Sequence, residues 1–406
     1  MVNKKAKPAK SVQHGNNPLF NRFNHLPAKK TNRFPRVAYV LQGGGSLGAY
    51  QMGAVKGLLE AGYEPDWIAA TSIGAIQAAI IVGNPPEKRM AKLDEFWKRV
   101  ATYSFFDFLG ESDYTSHLYS QMGAASSLLF GQPGFYTPRW CSGTLSVTGD
   151  PTTLSYYDTS ALRETLLELI DFDLLNSCPI RLSLGSVQIS TGHLIYFNNI
   201  NYLIEPEHIM ASAALPPGFP AIDIDGELYW DGGVHSNSPL EVILEAVPVD
   251  DTLCFLIDCF GGRPFIPGNM NEIDERVKDI SYSTHGQRTI LNYLQRQNMR
   301  HLSRKLDGIL TDKQKKEHAN LLDTTGPHHC TLVHLVFSER MDKAATKDYN
   351  FGQIIIKKRF DIGCNDAKAV LSEEDQWGFL PKDKQSRLYE SPNNHYWLIR
   401  KKKKNT

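Results

Sequence analysis

Two small-residue turns, about 30 residues apart, limit what this chain can fold into more than any other feature. The first, Gly43-Gly44-Gly45-Ser46-Leu47-Gly48, follows the apolar run Val37-Ala38-Tyr39-Val40-Leu41. The second, Ala70-Thr71-Ser72-Ile73-Gly74, follows Trp67-Ile68-Ala69. An Ala-rich stretch that reads as helix comes after each, at about Ala49–Glu60 and Ile73–Val82. The pattern is two strand–turn–helix units in succession. One turn gathers backbone N–H groups with no side chains in the way, and the other sets a lone serine at a sharp bend. Together they read as an oxyanion hole beside a nucleophile elbow.

Each turn has a simpler reading. Gly43, Gly45 and Gly48 also fit a dinucleotide fingerprint, whose mechanism needs a carboxylate at the end of the next strand. That strand ends in Ala70-Thr71-Ser72, and Asp66 lies at its other end. A purely structural glycine turn stays open. So does Ser72 as a plain helix N-cap.

A third element lies far downstream. Leu228-Tyr229-Trp230-Asp231-Gly232-Gly233-Val234 runs an apolar strand into an aspartate followed by two glycines. Upstream of it, Ala211-Ser212-Ala213-Ala214-Leu215-Pro216-Pro217-Gly218-Phe219-Pro220 reads as a short helix broken by prolines. The glycine turn, the S-x-G elbow, the A-S-x-A-L-P-x-x-F-P stretch and the D-G-G turn resemble, in this order, the patatin-like phospholipases. The resemblance covers about Arg36 to Leu244.

It implies an α/β fold, a three-layer sandwich around a mainly parallel central sheet. It implies lipid acyl hydrolysis by a Ser–Asp dyad, without histidine, metal or cofactor. Carried onto this chain, Ser72 is the nucleophile and Asp231 its proton acceptor. Gly43, Gly44 and Gly45 form the oxyanion hole, and Gly48, Ala70, Gly74, Gly232 and Gly233 support the turns. Two positions depart from the family pattern. Ala70 replaces the first glycine of the elbow, and Leu47 stands where many members carry Arg or Lys. The second departure leaves neutral lipids and other hydrophobic esters open beside phospholipids and lysophospholipids. A lipid-surface binding protein with a weak site is a further alternative.

The chemistry is coherent. A serine hydroxyl attacks only once a base takes its proton. An aspartate of ordinary pKa, ~4, is a weak base at neutral pH. Burial against Tyr229 and Trp230 would raise it. His235 sits past the turn, and the spacing favours a loop histidine over a relay.

The 406 residues carry 44 basic and 44 acidic side chains, unevenly placed. No Asp or Glu precedes Glu60, and the chain ends Tyr396-Trp397-Leu398-Ile399-Arg400-Lys401-Lys402-Lys403-Lys404. Basic residues beside an apolar knot suit peripheral contact with an anionic membrane surface. A nucleic-acid partner is not expected, because no binding module is recognisable. Without a long apolar run or a secretory leader, the chain reads as cytoplasmic. Its six scattered cysteines read as reduced thiols, with Cys254 and Cys259 packed in the core.

Three regions are expected: a basic disordered arm over 1–35, the acyl hydrolase domain over 36–245, and an extension over 246–406 that packs on it. Residues 101–157, rich in aromatics, Gly and Ser, are a candidate lid. Within the extension, Ile273, Val277, Ile280, Leu291, Leu294 and Leu302 fall at helical spacing over about 271–306. They are read as a core-contact stripe.

Overall fold

The computed structural model describes residues 34–102, 126–139, 149–245, 251–261, 265–317, 329–338, 346–379 and 386–391. Nearly all of the basic arm, much of the candidate lid and the polybasic end lie outside these residues.

The principal elements follow in chain order. They are β1 (Arg36–Leu41), α1 (Gly48–Glu60), β2 (Trp67–Ala70), α2 (Ile73–Val82), α3 (Pro86–Arg99) and α4 (Ser160–Leu169). Next come β3 (Arg181–Gln188), β4 (Leu194–Asn198), α5 (Pro206–Ser212), β5 (Ile222–Ile224) and β6 (Glu227–Asp231). The chain continues with β7 (Thr252–Asp258), α6 (Met270–Asp307), β8 (Cys330–Val336), α7 (Gln353–Ser372) and β9 (Arg387–Glu390).

One nine-stranded sheet runs in the order β9-β8-β7-β1-β2-β3-β6-β5, with β4 also paired to β3. The pairs from β9 through to β3 are parallel. Those that join β4, β5 and β6 are antiparallel. The molecule is thus an α/β three-layer sandwich about a mainly parallel sheet. β1 shows why its strands read as unbroken apolar runs: both faces are covered. Val37, Tyr39 and Leu41 enter the larger core, and Ala38 and Val40 the smaller one on the opposite face.

Among the described residues, the segment after residue 245 builds no separate sheet. β7 pairs with β1 over Arg36–Leu41, so strands more than 200 residues apart in the chain lie side by side. α7 packs on α1 at backbone contact distance. A Cβ on Gly53 would lie 2.0 Å from the Phe360 carbonyl oxygen, and one on Gly363 2.0 Å from that of Tyr50. Cys254 and Cys259 are buried.

The helix expected over 271–306 is α6, but its apolar stripe corrects the core-contact reading. Ile273, Val277, Ile280, Leu291 and Leu302 are exposed, while Leu294 is partly buried against the smaller core. The buried side carries Glu275, Asp279, Ile290, Tyr293 and Gln297. Ion pairs explain the inversion. Lys347 bonds Asp279 at 2.5 Å and lies 3.6 Å from Glu275, so a cation inside offsets the two buried carboxylates, although Asp279 Oδ2 accepts no hydrogen bond from the described residues.

Candidate active site

β2 ends at Ala70, and the chain reverses within two residues into α2. The Thr71 N–H donates to the Leu41 carbonyl at 3.2 Å, which ties the turn to the end of β1. Ser72 then takes φ 57° and ψ −128°, a left-handed conformation that costs a non-glycine residue about 1–3 kcal/mol. Its side chain does not cap α2, although its position is that of the N-cap. The simple N-cap reading therefore fails, and the hydroxyl is left at a strained bend. Gly74 is required here, since a Cβ would lie 2.4 Å from the Leu41 carbonyl oxygen. Ala70 costs no room, because its methyl is part of the larger core.

Asp231 ends β6, opposite Ser186 of β3, and is 1% exposed. Its Oδ1 accepts the Gly233 N–H at 2.7 Å, and its Oδ2 accepts no hydrogen bond from the described residues. Burial pushes its pKa up to about 7, against the opposing pull of the Gly233 N–H and the nearby Ser72 hydroxyl. Desolvation wins because one oxygen lacks a donor. Gly232 presses on β3, where a Cβ would lie 2.5 Å from the Gly185 carbonyl oxygen.

The end of α5 joins serine and aspartate. The Ser212 carbonyl accepts the Ser72 N–H at 2.9 Å, and the Ala214 carbonyl accepts the Asp231 N–H at 3.0 Å. The Ser212 hydroxyl donates to the Gly185 carbonyl at 2.6 Å. The A-S-x-A stretch thus brings two turns, some 160 residues apart in the chain, to one place.

The glycine turn faces the same point: a Cβ on Gly43 would lie 2.9 Å from the Ser72 Cβ. One expectation needs correction. The Gly43 N–H donates to the Asn237 carbonyl at 3.1 Å and is already used. Among the described residues no acceptor takes the Gly44 or Gly45 N–H. Gly45 has φ +52°, and a Cβ there would lie 2.4 Å from the Asp348 carbonyl oxygen. Leu47 is fully buried in the larger core and sets no charge at the site.

Several supporting residues escaped the sequence reading. The Asn237 Nδ2 donates to the Gly43 carbonyl at 3.0 Å, which closes a reciprocal clamp between the two loops. Its signal was the Asn-x-Pro just past D-G-G, read only as loop. Gln42 Oε1 accepts the N–H groups of Cys259, at 2.6 Å, and Phe260, at 2.9 Å. Buried Arg359 donates to the Ser46 hydroxyl at 2.6 Å and to the Lys347 carbonyl at 2.7 Å. Burial raises the phenols of Tyr282 and Tyr349, and Asp348 and Asp231 add to it, so both rings lie in the field of the site. His235 is exposed.

Residues 39–244 match the family described as patatin-like phospholipase, and residues 280–383 match one described as patatin phospholipase. No curated protein matches the chain. Among solved structures, VipD from Legionella pneumophila is 12% identical with a TM-score of 0.29, over 84% of this chain and 76% of that one. ExoU from Pseudomonas aeruginosa, in complex with SpcU, is 16% identical with a TM-score of 0.27. That match covers 65% of this chain, which spans about half of ExoU, 53% of its length. The family matches cover more than half of the 406 residues, and the chain belongs to the patatin-like phospholipases, a family of lipid ester hydrolases.

Proposed function

We propose that the protein cleaves acyl ester bonds of phospholipids or lysophospholipids through Ser72 and Asp231. One observation carries this reading: a serine on a strained elbow, free of capping duty, beside a buried carboxylate with its pKa pushed up to about 7. In the first step Ser72 Oγ attacks the ester carbonyl and Asp231 Oδ2 takes the hydroxyl proton. The tetrahedral oxyanion receives the N–H groups of Gly44 and Gly45, each worth about 3 kcal/mol in comparable sites. The positive end of the α2 dipole lies at the same point. The intermediate collapses, the C–O bond breaks, and the leaving alkoxide takes the proton back from Asp231. Water then attacks the acyl-serine with the same base, releasing the fatty acid and restoring Ser72. A base of this strength suits an alkoxide leaving group better than an amine.

Fully buried Leu47 favours a second reading within the same chemistry. With no cation at that position of the turn, an uncharged glyceride or another hydrophobic ester fits as well as a phospholipid. Comparing turnover of a phospholipid and a neutral glyceride separates the two. The basic ends of the chain support peripheral contact with anionic membranes. No helix of the described residues is long and apolar enough to cross a bilayer.

A serine-reactive fluorophosphonate tests the nucleophile. The wild-type protein is expected to label and Ser72→Ala is not. Equal labelling of both would move the nucleophile elsewhere. No labelling of either, with lipid binding retained, would leave only a binding protein.

A further inference from the structure

α6 is amphipathic in the unexpected sense. At about 100° per residue, Met270, Ile273, Val277, Ile280, Leu291 and Leu302 share an arc of ~80° on its outer side. The inward positions, buried 275, 279, 286, 290, 293 and 297 and half-buried 282, centre roughly 160° away. The outer six are between 41% and 70% exposed along a helix of 38 residues. An apolar stripe turned away from the core needs a cover of its own.

Charge decides what that cover is. From Ile280 to Leu306 the chain has no Asp or Glu, and it holds Arg288, Arg296, Arg300, Arg304 and Lys305. Arg288 and Lys305 are exposed and flank the stripe on its two sides at about 0° and 260°, the stripe running from about 280° to 360°. Exposed Asp274, toward the N-terminal end, is the acidic residue nearest the stripe's edge. Apolar residues between cations are the pattern of a helix lying in a lipid interface. The same helix also borders the site. The Gln42 Nε2 donates to the Tyr282 carbonyl at 3.4 Å, and Lys278 bonds Asp348, the residue behind Gly45, at 2.6 Å. Val234, three residues past Asp231, is 52% exposed.

We propose that the outer face of α6 seats the protein on an anionic lipid surface, its N-terminal half beside the site. The apolar stripe enters the acyl boundary while Arg288 and Lys305 meet the headgroups. That the covering surface is lipid rests on the lipid-ester reading above, whereas the test below does not depend on turnover.

Binding is measured by sedimentation of full-length Ser72→Ala protein with phosphatidylcholine vesicles, with and without phosphatidylglycerol. The triple change Ile273→Ser, Val277→Ser, Ile280→Ser is expected to weaken binding by about tenfold or more, the equivalent of ~1.4 kcal/mol. Arg288→Glu with Lys305→Glu is expected to weaken the preference for phosphatidylglycerol and flatten its salt dependence relative to the parent, which keeps the same basic ends. All five positions are exposed, so thermal melting stays at the parent value. Leu167→Ser, 45% exposed on α4, is the control and leaves binding as it was. Unchanged binding of the triple variant would overturn the proposal. So would a parent that sediments as a dimer and a triple variant that is monomeric with undiminished vesicle binding, since a second copy would then be the cover.

Discussion

The two turns that meet at the site are built in opposite ways. The Ser72 elbow is held from within the first 245 residues, by Leu41, Ser212 and Gly74. It forces a half-buried non-glycine residue into a left-handed conformation and keeps it there with backbone bonds on both sides of the turn. The glycine turn is conformationally easy but supported from far away. Cys259 presses on Gly44, Asp348 on Gly45, and Arg359 reaches Ser46. Removing side chains from a turn frees its N–H groups, and the missing side chains leave it to be shaped by whatever lies against it. The segment after 245 therefore shapes the candidate site, as well as the sheet.

The sharpest test of this contrast is Asp231→Asn, the largest expected effect. It replaces the base without changing shape, so turnover of a short-chain ester should fall by about 10²–10⁴-fold. In the wild type, log(kcat/KM) should rise with pH and level off above about 7, where Asp231 ionises. The stability effect has the opposite sign. A carboxyl whose pKa is raised on folding holds its full stability below the unfolded value, and loses it as pH rises through the folded one. Asp231→Asn should thus melt higher than wild type at pH 8, on the order of a few kcal/mol, with no difference near pH 4. A variant that is no more stable at pH 8 would mean the carboxylate is not desolvated.

Gly45→Ala addresses the remote support. Its Cβ strikes the Asp348 carbonyl, and its φ of +52° strains any other residue. Displacing one oxyanion donor should lower kcat by about 10²–10³-fold while fluorophosphonate still reaches Ser72 slowly. Ser46→Ala keeps the backbone and removes the hydroxyl's contacts with Arg359 and with the Lys347 carbonyl, so a loss within about tenfold is expected, chiefly in kcat. If Ser46→Ala equalled Gly45→Ala, the turn would be shaped by the contacts of the Ser46 hydroxyl rather than by its glycines.

His235→Ala should have the smallest effect, with kcat/KM within about twofold of wild type, as exposed residues outside a site allow. A dead His235 variant beside an active Asp231→Asn would replace the dyad by a histidine mechanism.

Local pattern carried much of this. α2 occupies Ile73–Val82, the stretch read from its apolar and Ala-rich run. α1 starts one residue before the stretch read for it, at Gly48 rather than Ala49. Short pieces without periodicity were missed, among them β5 at Ile222–Ile224 and β9 at Arg387–Glu390. Three or four residues form a strand only because a neighbour offers its edge. Ser72 and Asp231 stood out because strained bends demand small flanking residues, which leave a mark in the sequence. Gln42 and Arg359 left none, since a polar side chain does not announce which backbone group it will meet.

By itself, then, the sequence determined the order of the elements, the turn types and the residue types that the chemistry needs. Steric rules act between near neighbours, and those are written along the chain. Tertiary structure alone decided which N–H groups stay unused, with Gly43 taken by Asn237 and Gly44 and Gly45 left over. It also decided which face of α6 is buried. The apolar period gave that helix a stripe, and buried ion pairs from Lys347 turned the stripe outward. Periodicity fixes that a helix has two faces, while the cost of leaving charges unpaired in the interior selects the one that faces the core.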